Sequence, residues 1–231
     1  MTTSGTASWN PDFSEIMEEA FERCGLEIRT GYDVKTARRS LNFIFQDWAN
    51  KGINMWTIEE GTQVLTQGVA TYVLPTDTVD LMEHVIRTQT DSQQQDITIS
   101  RISVSVYATI PNKNQQGRPV QIYIKRLNTP EFTVWPVPDG AYTYTLKYWR
   151  LRRIQDVGNN GDLTADMPFR FIPAITAALA YQIALKRPDV APDRVQMLKA
   201  LADETYQLAA DEDREKAPVR FVPRRSYIAS S

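Results

Sequence analysis

Few residues in this chain could carry out enzymatic or metal chemistry. The 231 residues include one histidine, His84, and one cysteine, Cys24. A Ser-His-Asp hydrolase would need His84 as its base, but the chain has no Gly-x-Ser-x-Gly nucleophile motif. Zinc sites and disulfide frameworks need more Cys and His residues than these two. We therefore expect no enzyme activity, no catalytic residue and no cofactor, with His84 in a strand and Cys24 packed among apolar neighbours.

Three acidic side chains surround one loop. Asp156, Asp162 and Asp166 flank the sequence Gly158-Asn-Asn-Gly161 and could supply oxygen ligands to Ca²⁺. Their spacing does not match an EF-hand, and Asn and Gly are the residues that turns use. The sequence also contains no glycine-rich phosphate-binding motif. We therefore predict a turn here and no metal site.

Two basic segments occur in a chain whose formal net charge is −2, which excludes a general nucleic-acid binder but not a local basic patch. The first segment ends the longest predicted strand, and its cations are Lys147, Arg150, Arg152 and Arg153. One interpretation is charge that protects a strand end from edge-to-edge pairing. The alternative is a contact with DNA phosphates or with a neighbouring subunit.

The second basic segment is the C-terminal tail, residues 214–231. It combines cations with aromatic side chains, namely Arg214, Lys216, Arg220, Phe221, Arg224, Arg225 and Tyr227. Disordered segments contain few aromatic residues. Two hypotheses follow: the tail becomes ordered when it binds a groove in a neighbouring protein, or it is a loose end.

Four helices are predicted, two near each end of the chain. Asp12 and Glu15 have the spacing of a capping box, which predicts a helix that ends near Cys24, before Gly25. A second helix is predicted to start at Asp33 and to end just before Gly52, with apolar residues at spacings of three and four. This apolar periodicity predicts that both helices bury one face.

Proline residues mark the two C-terminal helices. Pro168 predicts the start of the first, and Pro173 predicts either a bend or a later start. Pro192 predicts the start of the last helix. Its predicted buried side consists of Val195, Leu198, Leu201, Ala202, Thr205 and Leu208.

Short strands are predicted between the two helix pairs, because this part is rich in Thr, Val, Ile and Tyr. They cover residues 57–66, 70–74, 79–88, 120–127, 132–136 and 142–154. Tyr142, Tyr144, Leu146 and Tyr148 alternate along the last strand and are predicted to share one face. Residues 97–110 fit a strand or a short helix, and residues 91–96 are predicted to form a mobile polar hairpin tip.

These elements predict an α+β fold. Neither helix pair can bury its apolar stripe alone, so the simplest closure is a four-helix bundle with an inserted antiparallel β subdomain. The predicted parts are an N-terminal arm (1–11), the bundle (12–56 and 167–213), the β subdomain (57–155) and an extended basic tail (214–231). The sequence has no signal-peptide pattern and no apolar run long enough to span a bilayer, so we expect no membrane association.

Several stretches of the sequence are similar to those of a known family. The longest is ARRSLNFIFQDWANKGINMW at 37–56, followed by 71–75, 110–113, 134–138, 148–154 and 167–173. These stretches resemble the head-to-tail adaptor proteins of tailed bacteriophages, which are similar to tail tubular protein A. The resemblance covers about residues 33–213.

The resemblance implies a virion structural protein. Such adaptors form a ring of identical subunits, usually a dodecamer, below the portal protein. The ring extends the channel for genomic DNA and lets the distal nozzle protein or tail fibres attach. The implied location is the head–tail interface of the virion, and the host cytoplasm during assembly. In several relatives a C-terminal extension reaches the portal, a role predicted here for residues 214–231. The alternative is a DNA-contacting accessory protein or another tail structural component.

Overall fold

Helices from the two ends of the chain form one unit, and the strands between them form another. The computed structural model describes residues 3–52, 55–90, 93–159 and 161–213. In chain order its elements are α1 (Phe13–Cys24), α2 (Gly31–Asn50), β1 (Ile58–Leu65), β2 (Thr71–Val73), β3 (Thr78–Thr90), β4 (Gln93–Thr98), β5 (Ser100–Ile102), α3 (Val104–Thr109), β6 (Gln121–Lys125), β7 (Glu131–Trp135), β8 (Thr143–Arg152), α4 (Ile172–Ala184) and α5 (Pro192–Glu212). The predicted α+β class is confirmed.

Capping boxes fix the starts of α1 and α2. Glu15 N donates to Asp12 Oδ1 over 2.8 Å, and Asp12 N donates to Glu15 Oε2 over 3.2 Å, as their spacing predicts. Gly25, with a φ of +73°, ends α1. The predicted start of α2 at Asp33 was wrong, because Thr30 is the N-cap and Asp33 is the acid that closes the second box.

Helix α4 lies at the centre of the helical unit, in contact with α1, α2 and α5. Most of its residues are buried, because a helix that is apolar on several sides needs neighbours on each of them. The predicted helix start at Pro168 was wrong, because Pro168 precedes a 3₁₀ turn at Phe169–Phe171. Helix α4 starts at Ile172 with Pro173 as its second residue, so of the two alternatives the later start is the one found. The four long helices share one apolar core, and the axis geometry of a four-helix bundle stays a prediction.

Helix α5 is the least buried of the long helices. Its buried side chains are Leu198, Ala202 and Ala209, whereas Leu201 and Leu208 are exposed. The prediction that these two leucines belong to the core was therefore wrong. Helical periodicity places them next to the buried residues, but α5 contacts its neighbours along a narrower strip than its apolar surface covers.

The eight strands of the described residues form two four-stranded sheets. The first has the order β1-β8-β3-β4 and is antiparallel throughout. The second has the order β2-β7-β6-β5, and its β5–β6 pair is parallel, so the predicted antiparallel subdomain is in fact mixed. A second apolar core contains side chains from both sheets, including Leu81, Phe132 and Leu146.

The long strand β8 supports this second core. Tyr144, Leu146 and Tyr148 alternate into the core as predicted, but Tyr142 precedes the strand and is exposed. Gly61 of β1 lies opposite Tyr148, and a Cβ at this position would come within 2.3 Å of the tyrosine ring. A glycine at position 61 therefore lets the ring lie against the neighbouring strand.

Two regions that the sequence left open are now assigned. Residues 97–110 contain both predicted alternatives, since β5 is followed by the short helix α3. The predicted hairpin tip at 91–96 is partly strand, because β4 begins at Gln93, while Asp91 and Ser92 lie outside the described residues. The end of β4 pairs with β3 through Thr98 and Val85.

Hydrogen bonds fix the segments that connect the helical unit to the β unit. Trp56 Nε1 donates to the carbonyl oxygen of Asp166 over 2.7 Å. The amide of Val157 donates to Asn42 Oδ1 of α2 over 2.9 Å. The chain beyond β8 therefore runs beside α2, and the cations at the end of β8 lie at the junction between the two units.

Candidate functional site

The two residues whose side chains are best suited to catalysis, His84 and Cys24, are both buried. His84 of β3 has no hydrogen-bond partner for Nδ1, and burial lowers its pKa against the opposing charge of Glu83. Cys24 Sγ lies 3.1 Å from the carbonyl oxygen of Ala180, and burial raises its pKa. A buried thiol with a raised pKa is a poor nucleophile. The geometry at neither residue is that of a catalytic site.

One of the three acidic loop residues, Asp166, takes part in hydrogen bonds within the chain. Asp166 Oδ1 accepts from Arg152 Nη2 over 3.0 Å, and Asp166 Oδ2 accepts from the amide of Gln155 over 3.1 Å. Among the described residues, no group of three His, Cys, Asp or Glu side chains is placed to hold a metal ion. Asp166 instead connects the end of β8 to the loop before α4.

Two arginines of the basic β8 segment share one acidic partner. Arg150 Nη2 donates to Glu59 Oε2 over 2.9 Å and to Asp77 Oδ2 over 3.2 Å. Arg152 pairs with Glu59 as well as with Asp166, and its side chain is only 10% exposed. Strand pairing produces this cluster, because β1 lies beside β8 with Glu59 opposite Arg150.

The pKa values of these groups reflect their pairing. The hydrogen bond to Asp166 raises the pKa of Arg152, against the opposing effect of burial. The hydrogen bond from Arg150 lowers the pKa of Asp77, again against burial. Both shifts favour the charged forms of Arg152 and Asp77.

The remaining cations of the β8 segment differ from each other. Lys147 Nζ donates to Glu60 Oε1 of β1 over 2.7 Å. Arg153 is exposed, forms no ion pair with the described residues, and lines a cavity of about 320 Å³ between α2 and the sheet. Three of the four predicted contact residues thus have acidic partners within the chain. A contact of this segment with DNA or with a second subunit stays a prediction.

The C-terminal tail, residues 214–231, lies outside the described residues, but its starting point is well defined. The carboxylate of Asp213, at the end of α5, is buried. Arg170 Nη2 donates to Asp213 Oδ1 over 2.9 Å, and the amide of Met55 donates to Asp213 Oδ2 over 3.3 Å. Asp213 therefore connects the end of α5 to the segment between α2 and β1 and to the 3₁₀ turn before α4. The predicted role of the tail in portal binding remains untested.

Exposed apolar side chains on two helices were not predicted from the sequence. Tyr32 and Phe43 project from α2, and Met197, Leu201 and Leu208 project from α5. A signal for them exists in α5, because its apolar residues cover a wider arc than one helix contact can bury. Surface patches of this kind commonly mark interaction sites.

The family comparison agrees with a chain that acts through its surfaces. Every helix among the described residues is too short or too polar to cross a bilayer. No curated protein matches the sequence. A family model described as SU10 adaptor protein matches residues 11–223. Since this match covers most of the 231 residues, the chain belongs to the SU10 adaptor protein family, which confirms the predicted kinship with phage head-to-tail adaptors.

Proposed function

We propose that this protein is a virion structural protein that forms a ring below the portal of a tailed phage. The ring extends the channel through which genomic DNA passes and provides the attachment site for a distal nozzle protein or tail fibres. The observation that carries this proposal is the family match over residues 11–223. In this function the chain has no catalytic step, and all of its activity lies in interfaces.

We further propose that the basic tail binds the portal. The family match continues beyond Asp213 to residue 223, so it includes Arg214, Lys216, Arg220 and Phe221. The buried contacts of Asp213 with Arg170 and Met55 hold the start of the tail at a fixed point. A tail tethered in this way binds with an effective concentration set by its length, which favours attachment even when each contact is weak.

The charge distribution is compatible with a channel that lets DNA slide. Each phosphate that a protein neutralises adds salt-dependent affinity, so a channel wall should offer few unpaired cations. The formal net charge is −2, and the cations Lys147, Arg150 and Arg152 have acidic partners within the chain. These observations favour an adaptor over the alternative of a DNA-contacting accessory protein.

The test is the solution mass of the protein alone and mixed with the portal protein of the same genome. We expect a stoichiometric ring on the portal. A variant truncated after Asp213 should unfold at the temperature of the full chain but lose most of its portal binding. A variant with Arg220, Arg224 and Arg225 changed to Ala separates the role of charge from the role of tail length.

Two outcomes would contradict parts of this proposal. Unchanged portal binding by the truncated variant would remove the role of the tail but keep the adaptor function. Failure of the full chain to associate with the portal would favour a component lower in the tail. Binding of duplex DNA at low salt that falls when Arg153 becomes Glu would favour the accessory-protein alternative.

A further inference from the structure

We propose that the outer face of α2 binds the side of α5 in a second copy of this chain, and that this contact joins neighbouring subunits of the ring. The inference rests on the proposed function for the existence of a ring. The choice of the two surfaces rests on their own residues.

The first surface is called the α5 stripe and consists of Met197, Leu201 and Leu208. Successive helical residues are separated by about 100°, so these three side chains fall within about 40° of one another. Met197 is 72% exposed and Leu208 is 65% exposed. One edge of the stripe is acidic and consists of the exposed residues Asp193, Glu204 and Asp211. The stripe is thus an apolar line with a negative border.

The second surface is called the α2 outer face and lies opposite the side of α2 that enters the core. Its members are Tyr32, Lys35, Arg39, Phe43, Gln46 and Asn50, all of them exposed. Tyr32 is 70% exposed and Phe43 is 60% exposed, although both are large aromatic residues. The two charged members, Lys35 and Arg39, are cations. This face thus combines apolar anchors with positive charge.

The two surfaces match in length and in charge. Tyr32 and Phe43 are eleven residues apart, and so are Met197 and Leu208, which gives each surface a length of about 16 Å at 1.5 Å per residue. Cations on the α2 outer face would meet the acids beside the α5 stripe. Aromatic and apolar anchors would meet in the centre, the arrangement found in stable interfaces.

A contact between unlike surfaces is favoured over a symmetric one. Pairing two α5 stripes would bring Asp193, Glu204 and Asp211 close to their own copies, and pairing two α2 outer faces would do the same for Lys35 and Arg39. Like charges at an interface oppose association. Because the surfaces differ, each subunit can bind one neighbour through α2 and another through α5, which is the condition for a closed ring.

A second copy of the chain would cover both the α2 outer face and the α5 stripe, whereas the basic tail would cover only one of them. The basic tail of the chain could neutralise the acids beside the α5 stripe, but the α2 outer face would then keep its exposed aromatic residues. One subunit contact covers both surfaces at once. The tail remains available for the portal in this arrangement.

The test uses two variants that each damage one surface. The α2 variant carries Phe43→Glu, and the α5 variant carries Leu201→Glu and Leu208→Glu. A control variant carries Leu127→Glu, which changes an exposed leucine of the β unit. Each protein is cross-linked with glutaraldehyde, alone and with the portal protein, in the condition where the wild-type protein forms its ring. Thermal unfolding of each variant checks that its fold is retained.

We expect each surface variant alone to lose the ladder of cross-linked oligomers, with association weakened about thirtyfold or more, the size typical of losing central interface anchors. The control should assemble like the wild type. An equimolar mixture of the two surface variants should give 1:1 dimers and nothing larger. Each such dimer has one intact α2 outer face and one intact α5 stripe in contact, and its other two surfaces are damaged.

Three results would overturn the inference. Surface variants that form wild-type rings would show that these surfaces are not the interface, while the adaptor function would stand. A mixture that stays monomeric would show that the two surfaces do not bind each other. A wild-type protein that forms no ring, with or without the portal, would contradict both the interface and the proposed function.

Discussion

Helices α4 and α5 form one hairpin, yet they use their apolar side chains in different ways. Nine of the thirteen residues of α4 are buried, against three of the twenty-one residues of α5. Composition contributes to the difference, because α4 has no charged residue and α5 has seven, but α5 also leaves Met197, Leu201 and Leu208 exposed. Apolar residues alone therefore do not show which side chains of α5 are buried.

The number of packed neighbours explains the difference. Helix α4 contacts three other long helices, so almost any direction from its axis meets another side chain. Helix α5 packs mainly on α4, and only Leu198, Ala202 and Ala209 of its residues are buried. The apolar residues just outside this buried strip stay exposed to solvent or to a partner.

The largest expected effect is a direct test of this comparison. Leu179 of α4 is fully buried, and Leu179→Ala should lower the free energy of unfolding by about 3 kcal/mol, through lost burial and a residual cavity. Leu208→Ala of α5 should change it by less than about 0.5 kcal/mol. Urea denaturation measures both values. Equal losses would show that Leu208 is also a core residue, and the comparison would fail.

The second prediction extends the comparison to two neighbouring cations. Arg152→Gln should lower the free energy of unfolding by about 2 kcal/mol, because it leaves Asp166 without its buried charged partner. Glu59 would still pair with Arg150 in this variant. Arg153→Gln should cost less than about 0.5 kcal/mol, since Arg153 is exposed. Urea denaturation compares the two matched variants. A larger loss for Arg153 would contradict the assignment of their roles.

A third, smaller effect tests whether α5 is less firmly fixed at its start than α1 and α2. Those helices have capping boxes, whereas Ala191 at the N-cap of α5 makes no side-chain hydrogen bond. Ala191→Ser should therefore raise the free energy of unfolding by about 1 kcal/mol, by satisfying one of the free amides of the first turn. Lys199→Ser, within the same helix, serves as the control and should not stabilise the protein. No gain from Ala191→Ser would mean that these amides already have partners.

The smallest expected effect separates the two units by their response to pH. Burial lowers the pKa of His84 in the folded β unit, so the unfolded chain binds a proton more readily. Stability should therefore fall as the pH drops through about 6.5, the usual pKa of histidine. In the helical unit, the hydrogen bond from Arg187 lowers the pKa of Asp33 to about 2. That contribution is present above about pH 4 and is lost only as the pH falls towards 2.

Urea midpoints at pH 7, 6 and 5 measure the histidine effect. The variant His84→Gln should show a flatter dependence over this range than the wild type. The same dependence of the urea midpoint on pH in both proteins would mean that a group other than His84 is responsible. The pH response would then not distinguish the β unit from the helical unit.

Local elements were predicted from the sequence where the signal was itself local. The capping box of Asp12 and Glu15, the stop at Gly25 and the helix starts near Pro173 and Pro192 all involve residues a few positions apart. Backbone chemistry within one turn determines such features. The start of α2 was missed by three residues because Thr30 and Asp33 are both suitable caps, and only the geometry shows which one caps the helix.

Contacts between distant residues could not be predicted in the same way. The sequence left open whether the basic β8 segment protects a strand end or contacts DNA or a neighbouring subunit, and its pairing with Glu59, Glu60 and Asp77 depends on which strands lie beside β8. The parallel pairing of β5 with β6 likewise depends on the path of the intervening chain around α3. The spacing of residues within one segment does not show which strands pair with each other.

The sequence by itself determined the α+β class, the caps and proline starts, the near absence of His and Cys, and the family. Each of these depends on residue identity or on neighbours within a few positions. Only the tertiary structure decided which cations have partners and which leucines of α5 are exposed. Burial and ion pairing depend on residues that are far apart in the chain, and they become neighbours only when the two helix pairs and the two sheets have packed together.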